Sequence, residues 1–412
     1  LHLSLRRQRQ MCIRDSTPTV SDNGTVTIGE QKAENGKATE VSLKIGSQEI
    51  PITVTSTNGA VETTTLHVLR NVDGSAYTVP TRPQYHFSQA MGWSNDPNGM
   101  LYYKGEWHLF FQHNQARTTW GELEWGHAVS KDLIHWEELP RPLNYQEDNG
   151  AMFSGCGVVD DENTSGLFGD EKGPGKGGLI ALYTQNNELN GHRGQDQCIA
   201  YSKDNGRTWT KYKGNPILKW DEDHLKDTAF RDPKVFRHDG KWFMVLAGGI
   251  LRIYSSDDLI HWNIESTYKG SDDIGNPAGL RVETECPDMY PLTADDGTTK
   301  WVISEGGRYY RIGDLKKIDG HWTFVQDKDS DRYVMNFGPH SYAAMTYYIG
   351  NGETTNGKPE NRRIMINWAS TWADGYCNNV DKVTGQWGYN GFFNLQTELN
   401  VKKIDGKYKL VQ

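Results

Sequence analysis

The sequence predicts an all-β protein, and three observations lead there. Short apolar runs of strand length recur from Tyr85 onward, with no long amphipathic helix between them. Aromatic and branched residues fill these runs, as in Met100-Leu101-Tyr102-Tyr103, Trp107-His108-Leu109-Phe110-Phe111, Leu179-Ile180-Ala181-Leu182-Tyr183, Trp242-Phe243-Met244-Val245-Leu246 and Trp301-Val302-Ile303-Ser304. A segment of Ser, Asp, a turn and then Trp also occurs three times, in Ser130 to Trp136, Ser202 to Trp209 and Ser256 to Trp262. Such a repeat suits a hairpin at the same place in successive blades of a β-propeller.

Taken in order, residues 1–16 do not match the rest of the chain. They carry Arg6, Arg7, Arg9 and Arg14 and no continuous apolar core, so they are not a complete secretory signal, and they are expected to be a non-native segment. Residues 17–70 are rich in Thr, Val, Gly and Asn. Val41 to Ile45 and Ile50 to Thr55 read there as strands of a partial β-rich accessory module, too small for a whole β-sandwich. Residues 71–84, with Gly74, Ser75, Pro80 and Pro83, read as a linker, and residues 85–412 form the main β-domain.

Composition removes several classes of function. A formal charge of −9 on 412 residues and a pI near 5.8 argue against nucleic-acid binding and disfavour a polyanionic ligand. Fourteen Trp and twenty Tyr in a chain only 36% hydrophobic fit a carbohydrate protein whose rings pack against the core or against sugars. No apolar run is long enough to span a membrane. Cys12, Cys156, Cys198, Cys286 and Cys377 are too scattered for a disulfide scaffold, and none has the paired spacing of a zinc site. Neither a metal nor another cofactor is expected.

Three acids stand in strongly punctuated surroundings: Asp96 in Trp93-Ser94-Asn95-Asp96-Pro97-Asn98-Gly99, Asp232 in Phe230-Arg231-Asp232-Pro233, and Glu285 in Glu285-Cys286-Pro287-Asp288. A residue before proline is pushed toward extended backbone, which narrows where its side chain can point. Asp-Pro-Asn-Gly taken alone is a turn signal. Glycoside hydrolysis, however, needs carboxyl groups held on opposite sides of a scissile bond, and three stiffly placed acids can supply them. Asp232 follows Asp96 by 136 positions and Glu285 follows Asp232 by 53, spacings compatible with different blades of a propeller, whose inner strands converge on one axis.

These same residues resemble glycoside hydrolase family 32, the β-fructofuranosidases. The resemblance runs from about Tyr85 to Gln412 and adds Phe110-Phe111-Gln112, Trp120-Gly121, Trp125-Gly126-His127 and Phe153-Ser154-Gly155 to the acid motifs. It implies a five-bladed propeller followed by a β-sandwich that is largely missing here, with Tyr408 to Gln412 expected as the start of the connection. It implies a retaining mechanism with Asp96 as nucleophile, Glu285 as acid/base with a raised pKa, and Asp232 as transition-state stabiliser. Arg231 would keep neighbouring carboxylates ionised. Retention would put Asp96 and Glu285 about 5 to 5.5 Å apart. Asn95, Gln112 and Ser154 would contact fructose, while Trp120, Phe153 and Trp93 would wall the pocket.

Three positions depart from the family pattern: Thr284, where many relatives have Trp, and Asn336 and His340, where Asp is frequent. The activity implied is exo-release of fructose from levan or inulin, and from sucrose, by an extracellular enzyme. Similarity of Tyr201 to Leu218 to levanases and exo-inulinases, together with the accessory module, favours polymer. Endo-levanase action, fructosyl transfer and a non-catalytic fructan-binding propeller stay open as alternatives. A sialidase-like propeller would need an arginine cluster and a Tyr nucleophile, which do not stand out.

Overall fold

The computed structural model describes residues 2–5, 16–19, 24–44, 46–70, 76–144, 150–187, 194–220, 229–248, 250–268, 285–336, 338–349, 354–355, 358–359 and 362–412. Most of the expected non-native segment therefore lies outside the described residues, as do Cys12, Thr284 and the first part of the linker. Strands dominate, with one short α-helix, Tyr376–Thr384, among the described residues.

The accessory region forms its own antiparallel sheet, in the order Gln31–Ala33, Thr25–Ile28, Gly46–Thr55, Val61–Arg70. Val26, Ile28, Ala33, Ile50 and Ile52 make its small core. Val41 to Lys44, expected as a strand, lies outside any strand; Val41 and Leu43 instead pack against that core from a loop. The end of the expected linker is tied down as well. The Arg82 guanidinium stacks 3.5 Å from the Tyr389 ring centroid and donates to Ser88 Oγ and the Gln89 carbonyl, so this stretch is anchored rather than free.

From Gly92 onward the described residues include five successive sheets of four or more strands, each built on an antiparallel run of strands, with Tyr348–Ile349 and Tyr389–Asn390 added in parallel to the first. The first holds Gly92–Tyr103, Glu106–Asn114, Glu124–Ser130 and Trp136–Leu143. The second holds Ala151–Asp160, Gly178–Asn186, Gln195–Ser202 and Thr210–Lys211. The third holds Arg231–His238, Lys241–Ala247, Leu251–Ser256 and Asn263–Tyr268. The fourth starts at Asp288–Thr293 and runs through Thr299–Glu305 and Tyr309–Ile318 to His321–Gln326. The fifth comprises Tyr342–Thr346, Arg363–Trp368, Thr397–Ile404 and Lys407–Val411. Tyr408 to Val411, expected to begin a connection, is thus the outer strand of the fifth sheet, paired with Thr397–Ile404.

Of the four strands given for each sheet, the outermost, named last, holds the fewest buried residues. The first strand of the first sheet is buried almost throughout, whereas its fourth strand is largely open to solvent. Neighbouring sheets share apolar cores in a closed cycle. Phe110 and Trp125 pack with Met152 and Tyr183, Leu182 with Met244, Phe243 with Trp301, and Ile312 with Met365. Trp107 and Met100 then pack with Met345 and Ile366, which brings the fifth sheet back to the first. First strands approach closely enough to require glycine: a Cβ at Gly157 would lie 2.4 Å from the Gly99 carbonyl oxygen.

The three repeated segments occupy the same corner, between the third and fourth strands of the first three sheets. Asp132 Oδ1 accepts the amides of Ile134 and His135 at 2.9 and 2.8 Å, and Asp258 Oδ1 repeats this for Ile260 and His261. Asp204 Oδ1 accepts from Arg207 and Thr208. The indoles of Trp136, Trp209 and Trp262 then donate back to the turn carbonyls of Leu133, Gly206 and Leu259. An Asp that satisfies turn amides and an indole that folds over the turn explain why the pattern recurs.

Candidate active site

Asp96, Asp232 and Glu285 meet in one cavity of about 420 Å³, inside the usual range for a small-molecule site. They come from three sheets. Asp96 lies in the first strand of the first sheet, Asp232 in the first strand of the third, and Glu285 just ahead of the first strand of the fourth.

Local backbone differs from the simple pre-proline expectation. Asp-Pro-Asn-Gly does not turn the chain; it sits inside Gly92–Tyr103, where the register with the neighbouring strand shifts twice, between Ser94 and Pro97 and between Asn98 and Leu101. Such bulges re-aim side chains without ending a strand. Asp232 is not extended but left-handed, with φ of 62°, in a register shift between Arg231 and Lys234. Cys286 is left-handed too, at 43°. Strained residues of this kind persist only where surrounding bonds hold them.

Those bonds can be traced. Asp96 Oδ2 accepts from Ser154 Oγ at 2.6 Å, and Asp96 Oδ1 accepts from Asn95 Nδ2 at 2.9 Å. The Cys286 amide donates to Asp232 Oδ2 at 2.9 Å, while its thiol lies 3.4 Å from Asp96 Oδ2 and 3.6 Å from Asp232 Oδ2. Glu285 Oε1 accepts from Arg231 Nη2 at 2.5 Å, and Glu285 Oε2 accepts from Tyr342 Oη at 2.6 Å. Asn95, Gln112, Trp120, Phe153, Ser154 and Arg231, each expected at the site, join the three acids in lining this cavity. Trp120 is half exposed at the rim, with its ring 6.4 Å from that of Phe153.

Trp93 is a correction. It is wholly buried and is not among the lining residues; it donates from Nε1 to Asn95 Oδ1, meets Trp368 edge-on and stacks against Trp372. Cys286, inside the Glu285 motif, also lines the cavity, as do Trp372, Leu123 and Tyr342, which no acid motif marks as site residues. Of the three departures, Thr284 lies outside the described residues. Asn336 donates to the Gly307 carbonyl and His340 stacks 3.8 Å from Tyr376, and neither is among the lining residues.

Residues 86–412 match the family model for the glycosyl hydrolases family 32 N-terminal domain. The chain belongs to glycosyl hydrolase family 32. It is 48% identical over 346 residues to the fructan beta-fructosidase of Streptococcus mutans, covering 83% of this chain and 22% of that protein. It is 40% identical to the levanase of Bacillus subtilis, covering 82% and 48%. A crystal structure of exo-inulinase from Aspergillus awamori superposes with a TM-score of 0.67 at 34% identity, covering 82% of this chain and 67% of that one. The chain thus spans between about a fifth and two thirds of the length of these relatives.

In this family 32 chain the three carboxyls do not share one electrostatic environment. Burial raises Asp96, against the opposing bonds from Ser154 and Asn95. Burial pushes Asp232 up to about 7; Arg231 pulls the other way, but the charges of Asp96 and Glu285 add to the rise. Glu285 goes down: burial opposes ionisation, yet the Arg231 charge and the bonds from Tyr342 and Arg231 outweigh it. This reverses the expectation of a raised Glu285, because the guanidinium lining the site is hydrogen-bonded to Glu285 and to neither aspartate. Burial and the neighbouring carboxylates push the Cys286 thiol well above its ordinary value, so it stays protonated and can donate only one S–H at a time. Three neighbouring carboxyls with one cation among them titrate as a group rather than one by one. Among the described residues no helix is long and apolar enough to cross a membrane, and no cluster of His, Cys, Asp and Glu is arranged to hold a metal.

Proposed function

We propose that this chain is the catalytic part of a retaining β-fructofuranosidase that releases fructose from the non-reducing ends of fructans such as levan and inulin, and from sucrose. The reading rests on one observation above all: three carboxyls from three sheets face one small cavity around Cys286. The five sheets, read as five blades, explain why their first strands deliver side chains to a common mouth. The names of the streptococcal, bacterial and fungal relatives support the substrate class.

In the proposed mechanism an Asp96 oxygen attacks the anomeric carbon of the terminal fructosyl unit. The bond to the leaving oxygen breaks as Glu285 delivers its proton there, giving a covalent fructosyl-enzyme. Glu285 then takes a proton from water, the water oxygen forms the new bond to the anomeric carbon, and Asp96 leaves as carboxylate. Asp232 accepts hydrogen bonds from hydroxyls of the fructosyl ring, stabilising the transition state. Ser154 and Asn95, bonded to Asp96, aim the nucleophile, while Trp120 and Phe153 supply apolar wall. The proton must sit on Glu285 when the bond breaks, so substrate has to loosen the Arg231 pair that holds Glu285 ionised in the empty site. Action on extended polymers puts the enzyme outside the cell.

Incubation with levan, inulin and sucrose, beside Asp96→Asn, tests this. Fructose as sole product, lost in the variant, is the expected result. Oligosaccharide products would redirect the assignment to endo action or transfer. Folded protein that binds fructan and releases nothing would make it a binding propeller.

A further inference from the structure

The left-handed turn at Asp232 falls in a gap of its own sheet, just after Arg231 pairs with Ala247. Regular pairing with Lys241–Ala247 resumes only at Lys234, and Pro233 has no amide to donate. The support comes from the second sheet, where Thr184, Gln195 and Gln197 are buried side chains that face the Phe230 to Asp232 backbone.

Their hydrogen bonds have one consistent direction. The Asp232 amide donates to Thr184 Oγ1 at 3.1 Å, and the Thr184 hydroxyl donates onward to Gln197 Oε1 at 2.8 Å. With its oxygen used as acceptor, Gln197 turns Nε2 outward, donating to the Phe230 carbonyl at 2.8 Å and the Gln195 carbonyl at 3.1 Å. Gln195 Oε1 completes the frame by accepting the Phe230 amide at 2.9 Å and Arg231 Nη1 at 3.3 Å. No group in this chain of bonds is asked to donate and accept in conflict, which is the condition for a rigid buried polar network.

We infer that Thr184, Gln195 and Gln197 are positioning residues for the reaction proposed above, on which this inference rests. They hold the strained Asp232 in place and offer Arg231 a second acceptor besides Glu285. Displacing Asp232 also releases the Cys286 amide bonded to its Oδ2. Small misplacements of such groups cost rate rather than affinity.

The test uses Thr184→Val, which keeps shape but removes the hydroxyl, with Thr184→Ser as the conservative rescue and Gln195→Glu as a variant that keeps both acceptor contacts. Two readouts are taken on protein shown to be folded by circular dichroism. In steady-state kinetics on levan and sucrose, Thr184→Val should lose kcat by about ten- to a hundredfold with KM within about twofold, and Thr184→Ser should recover most of it. Gln195→Glu should draw Arg231 from Glu285 and move the alkaline limb of kcat/KM to higher pH. The second readout needs no activity: iodoacetamide labelling of Cys286, followed by mass spectrometry, should quicken several-fold in Thr184→Val while buried Cys156 and Cys198 stay protected. Unchanged kcat together with unchanged Cys286 labelling would overturn the inference. If wild-type protein releases no fructose, the functional reading fails, and the labelling result alone then decides whether the network holds the Asp232 turn.

Discussion

Replacing Ser154 with alanine removes one hydroxyl donor from a buried carboxylate and leaves the acid itself in place. Asp96 receives three side-chain donors, and the shortest is Ser154 Oγ at 2.6 Å. Burial raises the Asp96 pKa, and Ser154 is the foremost of the groups that restrain the rise. A hydrogen bond to a charged group contributes about 1.5 to 3 kcal/mol, and one pKa unit corresponds to about 1.36 kcal/mol. Ser154→Ala should therefore lift the pKa of Asp96 by roughly one to two units, with water entering the vacated space setting the lower figure. The sign follows from the role. A nucleophile acts ionised, so the acid limb of kcat/KM marks the pH at which the site gains its inactivating proton, and a higher pKa moves that limb to higher pH. Below the shifted limb the variant should be about ten- to a hundredfold slower than wild type, and above it the rates should converge. Initial rates of fructose release from sucrose between about pH 4 and 8 measure this. A uniform loss of rate with the acid limb unmoved would refute the reasoning and assign Ser154 to substrate contact instead.

Tyr342→Phe removes the donor to Glu285 Oε2, so Glu285 should bind its proton more tightly and the alkaline limb of kcat/KM should rise by about one unit; a fall or no movement would count against Glu285 as the acid. His108 and His127 share a 3.1 Å bond in the core of the first sheet, beside Phe110 and with Arg207 as the neighbouring cation. Burial lowers His108 to about 3 and His127 well below its ordinary value, so both stay neutral when folded, whereas the unfolded chain protonates near pH 6.5. Their contribution to stability is thus complete above about pH 6.5 and declines as pH falls from there toward 3. Melting temperatures taken from pH 7 downward should drop, and less steeply in His127→Phe; a flat profile would sink the argument. Asp132→Ala and Asp258→Ala each free two turn amides and should each cost about 1 kcal/mol, or about 2 °C by calorimetry, with additive effects because the turns lie in different sheets.

What was legible in the sequence was local or carried by motif. The Ser-x-Asp turns could be read because every group that makes them lies within a few residues. The strand interiors could be read because burial on both faces leaves continuous apolar runs. The three acids were legible through their punctuation, and the family resemblance supplied their neighbours. Four things escaped. Val41 to Lys44 alternates like a strand but finds no pairing partner, and packs from a loop. Trp93 was expected in the pocket wall since rings near a sugar site are useful, yet its indole is committed to Asn95 and to Trp368. Asp232 was expected to be extended from the preference before proline, which bonds from the second sheet override. Tyr342 and Trp372 reach the cavity from the fifth sheet and the segment after Trp368, and nothing in their own surroundings announces that.

The charge order of the site was illegible for a deeper reason: it depends on which carboxyl a single guanidinium meets. Arg231 adjoins Asp232 in sequence, which suggests a pair, and its charge does act on Asp232, but its hydrogen bond goes to Glu285. That leaves Asp232 near 7 and Glu285 low, the reverse of what an acid ready to protonate a leaving group requires. In the mechanism proposed above, bond cleavage therefore requires Arg231 to give up Glu285. Gln195 Oε1, already 3.3 Å from Arg231 Nη1, is the acceptor placed to receive it. On the mechanism proposed above, substrate that engages Asp232 and draws Arg231 aside would make Glu285 a better holder of the proton. On that reading acid strength is coupled to occupancy, because the Arg231 pair that favours the ionised form of Glu285 yields only to bound substrate.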